Sequence, residues 1–197
     1  MILKTKRLIL RPPRKSDWKD IVEGVNNLNV SKMTSVIPHP YHKKDALWWI
    51  NQSAKDNKKK ENKSYHFMIE LKLGRKVIGS TSITNIHKPT KKSHAGSWIN
   101  QDYWRKGYIL ESKIAVFDFA FNKLRLNKIE TEAFSDNKAS NGMQKKLGFR
   151  LVGILKDASR SESNKKLHNV NIWELMGSDW LKVRPKLIKS LNNKLRE

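Results

Sequence analysis

The chain has 197 residues, 38% of them hydrophobic, with no cysteine and a formal net charge of +23 from 41 Lys and Arg against 18 Asp and Glu. That size and apolar content suit a single domain with its own core, and the missing cysteines exclude disulfides, thiolate metal sites and a cysteine-bound intermediate. No apolar run approaches the roughly 20 residues of a membrane span, and charge soon interrupts the Met1-Ile2-Leu3-Lys4 start, so a soluble, cytosolic protein with no membrane role is expected.

The run Leu3 to Pro12 reads as a first strand, closed by Pro12-Pro13. Ser16 and Asp17 can cap a helix with the apolar stripe Trp18, Ile21, Val22 and Val25, in which Gly24 costs about 1 kcal/mol against Ala. A short turn is expected at Leu28 to Met33, then a rigid loop, Val36-Ile37-Pro38-His39-Pro40-Tyr41-His42. His39-x-x-His42 has metal-ligand spacing, but no third ligand stands near and Pro40 breaks any helix, so no metal site is predicted. The next helix, Lys44 to Ala54, should bury Leu47, Trp48 and Ile50, and Lys55 to Lys63 reads as a solvated loop. Strands are predicted at Tyr65 to Leu71, Lys76 to Ile86 and Ser93 to Asn100, with Leu73-Gly74-Arg75 as a turn. Gly74 to Thr81 imitates a phosphate loop, but Ser80 replaces the lysine and the run lies inside a strand.

The most specific pattern runs from Tyr103 to Phe149. Tyr103-Trp104-Arg105-Lys106-Gly107-Tyr108-Ile109 leads into Leu110, Ile114, Phe117, Phe121 and Leu124, spaced to share one helix face. A strand, Lys128 to Phe134, and the run Asn137-Lys138-Ala139-Ser140 come next, ending in Leu147-Gly148-Phe149. A glycine at a helix entrance beside Arg105 and Lys106 is suited to a pyrophosphate. Later strands are expected at Arg150 to Leu155 and Val170 to Met176, joined by a polar loop at Ser159 to Lys166. An amphipathic basic helix from Pro185 to Arg196 carries Leu187, Ile188, Leu191 and Leu195 on one face.

The Tyr103 to Phe149 stretch resembles the acetyl-CoA-binding core of the GCN5-related N-acetyltransferases (GNAT), most closely the RimJ/RimL-like branch that acetylates ribosomal-protein N-termini. The Thr5-Lys6-Arg7-Leu8 opening and Asn137-x-x-Ser140 followed by Lys146-Leu147-Gly148-Phe149 match that branch. Trp104 and Ile109 depart from the family's Q/R-x-x-G-x-G/A loop, Ile109 where a small residue normally lets backbone approach phosphate. The resemblance implies an α/β (α+β) GNAT fold, a mixed, mostly antiparallel sheet of about seven strands between helices, with two central strands splayed. It covers Thr5 to about Trp180. Residues 1–181 are taken as one domain and 182–197 as a basic helical extension.

The resemblance also assigns roles. Acetyl-CoA is expected on the backbone of Ser97, Trp98 and Ile99, on the loop Arg105, Lys106, Gly107, Tyr108 and Ile109, and on Asn137 and Lys146. His94 stands where the branch has a glutamate (Ser93-His94-Ala95-Gly96-Ser97-Trp98 against Ala-Glu-x-Gly-x-Trp). An imidazole can remove an amine proton near neutral pH, with Glu70 and then His66 as the other candidate bases. The tyrosine with which many relatives protonate the thiolate is replaced by Gln144, leaving Ser140 for that task or for a helix cap. Tyr41 and His42 are candidate acceptor contacts. The expected acceptor is a protein N-terminal α-amine, with a small amine, or a weakly catalytic module on RNA or a ribosome, as alternatives. The basic surface suits phosphates and ribosomes more than polycations, and either a monomer or a homodimer would serve.

Overall fold

The first apolar run folds as two strands, because the polar triplet Thr5-Lys6-Arg7 turns the chain instead of extending it. In the computed structural model, which describes residues 1–59 and 63–194, β1 (Leu3–Lys4) pairs back on β2 (Leu8–Arg11), closed by Thr5 N–H donating to the Leu8 carbonyl. The antiparallel meander continues through β3 (Lys63–Leu71), β4 (Val77–His87) and β5 (Lys92–Ile99). With β6 (Lys128–Phe134), β7 (Arg150–Arg160) and β8 (Leu167–Met176) the sheet has eight strands in the order β1-β2-β3-β4-β5-β6-β8-β7. The late strands run further than their apolar cores, and β7 extends to Arg160 because, past an irregularity at Lys156 to Ala158, Ser159 and Arg160 pair again with His168 and Leu167 of β8.

Alternation along the strands feeds two cores. On one face, α1 (Trp18–Val25) and α3 (Lys43–Asp56) bury Ile21, Val25, Ala46 and Ile50 against Met68 and Val77. On the other, α4 (Tyr108–Asp118) packs Leu110, Ile114 and Phe117 over Phe67, Ile69, Ile83 and Trp173. Between α1 and α3 lies the short α2 (Leu28–Ser31), its N–H at Asn29 capped by Asn27. The expected face of α3 is rotated. Ala46, Ile50 and Ser53 are inside while Trp48 is 64% exposed, since small residues, not the indole, let α3 approach the sheet.

Gly24 has a positive reason. A Cβ there would meet the Trp98 ring at 2.6 Å, so the close approach of α1 to β5 requires its absence. Beyond α4 the helix widens into a π turn at Phe119–Lys123, which buries three successive residues, Phe119, Ala120 and Phe121. The last helix, α6 (Gly177–Lys194), begins before the expected Pro185 and runs through it. Trp180 and Arg184 bond Asp118, and Leu187 enters the second core. Residues 60–62 of the expected Lys55 to Lys63 loop, and Leu195 and Arg196 of the expected terminal stripe, lie outside the described residues; Lys55 itself belongs to α3.

Candidate active site

Strands β5 and β6 are the parallel neighbours in an otherwise antiparallel sheet, and they stay paired only over Lys92–His94 and Lys128–Glu130. Thr131 Oγ1 donates to the Ala95 carbonyl at 2.7 Å, and beyond that point the strands separate. The backbone of Ser97, Trp98 and Ile99 therefore faces a gap on its β6 side, while β4 satisfies its other edge. Parallel strands place their carboxyl ends together, so the segments leaving β5 and β6 meet at the open end of this gap.

After β5 the chain makes a 3-10 turn, Gln101–Tyr103, capped by Asn100, and Trp104 donates its indole N–H to the Ile99 carbonyl at 2.9 Å. Arg105 and Gly107 then take left-handed φ values of 60° and 80°, and Gly107 is the N-cap of α4. Free N–H groups of a helix entrance, with Arg105 and Lys106 beside them, form an anion-binding end. Tyr108 lies under the Arg7 guanidinium at 4.1 Å, and Ile109 packs at the edge of the core below.

Two distant segments clasp this loop. Arg7 donates to Glu111 Oε2 at 2.7 Å and to the Lys106 carbonyl at 3.0 Å, while Thr5 Oγ1 donates to Glu111 Oε1 at 2.6 Å. From the other end of the chain, Lys194 Nζ donates to the Arg105 carbonyl, and Leu191 sits 3.6 Å from the position of a Cβ on Gly107. Lys186, Lys189, Ser190, Asn193 and Lys194 line a basic cleft along this part of α6.

Across the gap, Asn137 caps α5 (Lys138–Lys146), its Oδ1 accepting the Ser140 N–H at 3.0 Å. The cap role expected for Ser140 thus falls to Asn137, and the Ser140 hydroxyl is not the capping group. Asn141 fixes the arrangement beneath, donating to the carbonyls of Phe134 and Asn137 at 2.8 Å and accepting from Asn171 and Trp173. Lys146 reaches α6, its Nζ donating to Ser190 Oγ at 3.3 Å.

His94 is the last residue of β5 still paired with β6, at the apex of the gap and on the α1/α3 face. Its Nε2 lies 3.3 Å from Glu130 Oε2, and Lys128 in turn bridges Glu130 and Glu174. The hydrogen bond from Lys128 holds the Glu130 carboxyl below its usual range, so Glu130 stays ionised and orients the imidazole. Glu70 is different. It is 1% exposed, joined to Arg11 and 2.7 Å from Arg75 Nε, and Arg11 also forks onto Asp17 at 2.8 Å. A carboxylate locked between two guanidiniums is poorly placed to accept a proton. His66 is half-buried against Trp49 and near Asp56, and desolvation lowers its pKa.

Tyr41 is not on the surface of the site. It is 7% exposed in the α1/α3 core, and burial raises its hydroxyl to about 12. His42 is the exposed N-cap residue of α3, its N–H donating to Asp45 at 2.8 Å. The structure therefore gathers His94, Ser97 to Ile99, the Arg105 to Ile109 loop, Asn137 and Ser140 around one gap, and leaves Glu70 and Tyr41 in packed interiors. Thr5 and Arg7 were read as a family opening and not as partners of the loop, and Glu111, Glu130 and Asn141 escaped the sequence reading. Glu111, an acid within an apolar helical stripe, was the one with a visible signal.

The model of the acetyltransferase (GNAT) domain matches residues 7–150. The chain is 24% identical over 180 residues to the uncharacterized N-acetyltransferase p20 of Bacillus licheniformis, spanning 90% of this chain and 97% of that protein. It is 27% identical over 155 residues to the uncharacterized N-acetyltransferase YoaA of Bacillus subtilis, spanning 79% and 86%. The ribosomal-protein-S5-alanine acetyltransferase from Vibrio fischeri superposes with a TM-score of 0.77 at 19% identity, over 91% of this chain and 98% of that one. The Microcin C7 self-immunity acetyltransferase MccE, solved in complex with acetyl-CoA and AMP, gives 0.76 at 21% identity, over 87% and 93%.

Proposed function

The chain belongs to the acetyltransferase (GNAT) family, and from that premise we propose that its acceptor is the α-amine of a protein N-terminus, with ribosomal proteins as the first class to test. GNAT acetyltransferases use acetyl-CoA and an amine acceptor, and the residues present fit that donor. The Gly107 helix entrance and the Lys186, Lys189 and Lys194 cleft suit its phosphates, and the edge of Ser97 to Ile99 suits its amide-bearing arm.

The reaction joins the acceptor nitrogen to the acetyl carbon, breaks the carbon–sulfur bond, and moves one proton from the amine and one to the leaving sulfur. In this reading His94, with Nε2 directed to Glu130, takes the amine proton at Nδ1, directly or through water. Ser140 donates to the sulfur, and Asn137 holds the arm of the donor.

What favours a single amine over a polycation is how the nearby carboxylates are spent. Glu70 and Asp17 are held by arginines, Glu130 by Lys128, and Asp136 by Lys166 and His168, which leaves Glu132 as the exposed acid of β6. Glu132 on β6 and Asp102 just past β5 are thus the nearby acids without an ion pair among the described residues, and so few in a +23 protein suit one ammonium group better than a polycation. An α-amine, with an ordinary pKa of about 7.7–8.0, is also partly neutral at pH 7, so a base of imidazole strength is matched to it. The test is a labelled-acetyl assay on a peptide panel: free N-termini, blocked N-termini with internal lysine, and spermidine. Label on free N-termini supports the reading; label confined to spermidine or lysine overturns it.

A further inference from the structure

Strand β7 is the last of the sheet, and among the described residues it pairs with β8 alone. Its centre, Leu151-Val152-Gly153-Ile154-Leu155, carries no charge, yet Leu151, Val152, Ile154 and Leu155, together with Leu167 on β8, are 42–56% exposed. In a chain of net charge +23, an uncharged strip of this kind beside unpaired backbone N–H and C=O groups has the character of an interface. These five side chains expose about 400 Å² per copy, and with Arg150 and the polar end Lys156 to Arg160 the hairpin offers roughly 800 Å², the share one partner contributes to an interface of standard size.

The strip is complementary to itself. Gly153, Ile154 and Leu155 oppose Ile172, Asn171 and Val170 in regular register, between irregularities at Leu151–Gly153 and Leu155–Ser159. Those irregularities confine any new pairing to this triplet and so fix its register. A two-fold axis at Ile154 sets that residue against itself and lays each Leu155 opposite the second copy's Gly153. Within its own chain nothing stands within 4 Å of a Cβ on Gly153, so the space beside this glycine is left for a side chain from outside. The ends agree in charge. Counted along β8, Arg150 and Ser159 both stand three positions from Ile154, so Arg150 comes level with the second copy's Ser159 and beside its Asp157. Arg160 is held to its own turn, donating to the Lys165 carbonyl at 2.6 Å.

We propose that the free edge of β7 is a dimer interface, occupied by β7 of a second copy of this chain in antiparallel pairing about Ile154, which joins two eight-stranded sheets into one. The β5–β6 gap lies two strands inward and stays open in such a dimer, so the proposal stands apart from the acetyl-transfer reading and is tested without turnover.

The chain has no cysteine, so a single introduced thiol reports the axis without competition. Ile154→Cys would place two thiols on opposed residues, whose Cα atoms in an antiparallel pair are about 4.5–5.5 Å apart and within reach of a disulfide. Mild oxidation of the whole protein should cross-link it to twice the 23.0 kDa of one chain, about tenfold faster than Leu73→Cys in the exposed β3–β4 turn. Sedimentation equilibrium should give a dimer for the wild type, with a dissociation constant about 100-fold higher in Ile154→Glu, which sets two carboxylates against each other. The dimer should tighten as salt rises, because each copy carries +23 while the strip between Arg150 and Lys156 is uncharged. A wild type with the mass of one chain at about 100 μM overturns the proposal, and so does a dimer of equal strength in Ile154→Glu. Should the glutamate variant fail to fold, the reduced Ile154→Cys protein still decides: cross-linking no faster than in Leu73→Cys overturns the axis. A wild type that stays monomeric and instead retains a different host protein through this strip, lost in Ile154→Glu, overturns it in favour of a foreign partner.

Discussion

His94 and Glu70 share a face of the sheet, yet their partners prepare them for different tasks. Glu70 closes a buried charge network with Arg11, Arg75 and Asp17, whereas His94 is 44% exposed and touches one carboxylate. Glu70→Gln should cost on the order of 3 kcal/mol in denaturant unfolding, because the buried Arg11 guanidinium loses one of its two carboxylates, and should spare the kcat of the folded protein. His94→Gln should do the reverse, with kcat down about 100-fold and acetyl-CoA affinity intact; unchanged turnover in that variant removes His94 as the base. Lys113, buried on α4, adds a pH signature of its own. Its pKa falls from 10.5 in the open chain to about 7 in the fold, so between these values the unfolded state holds the extra proton and stability rises with pH. The penalty is fully present below pH 7. Thermal melts from pH 7 to 10 should climb in wild type, by the equivalent of a few kcal/mol, and climb less in Lys113→Met. Identical slopes in the two proteins would show that the amine is not desolvated as described.

At the scale of elements, Gly24 sets two opposing terms against each other. Alanine would strengthen α1 by about 1 kcal/mol, but its Cβ would stand 2.6 Å from the Trp98 ring. Overpacking should win, lowering stability by about 1–3 kcal/mol, and a higher melting temperature for Gly24→Ala would mean that Trp98 moves at no cost. The same position shows what the sequence could and could not reveal. The stripe of α4 was legible because Leu110, Ile114, Phe117 and Phe121 repeat at the helical period and all are buried. The glycine of α1 and the inward Ala46 of α3 were not, because close approach is a property of two elements and a one-dimensional pattern favours large apolar residues such as Trp48. The candidate site divides likewise. The glycine loop and Asn137 are local motifs, whereas Asn141 gains its meaning from Asn171 and Trp173 on β8, and Glu130 from its register against His94.

For the whole molecule, the excess charge is gathered as well as spread. Lys194 stands beside the Gly107 helix entrance and Lys186 and Lys189 line the cleft that continues from it along α6, so α6 adds its field to that of α4. Replacing the three with glutamine should weaken acetyl-CoA binding about tenfold and flatten its dependence on salt, with a smaller loss for 3′-dephospho-CoA. Equal affinities and equal salt slopes would assign these lysines to some other partner. The clasp around the loop carries a consequence for how the protein is made. Thr5 and Arg7 grip Glu111 across 106 and 104 positions, and Lys194 reaches Arg105 across 89. Such long closures are among the slowest and last to form in folding. A nascent polypeptide therefore carries an unfinished Arg105 to Gly107 loop until Leu191 and Lys194 have been synthesised and docked, so the order of the loop depends on segments made long before and long after it.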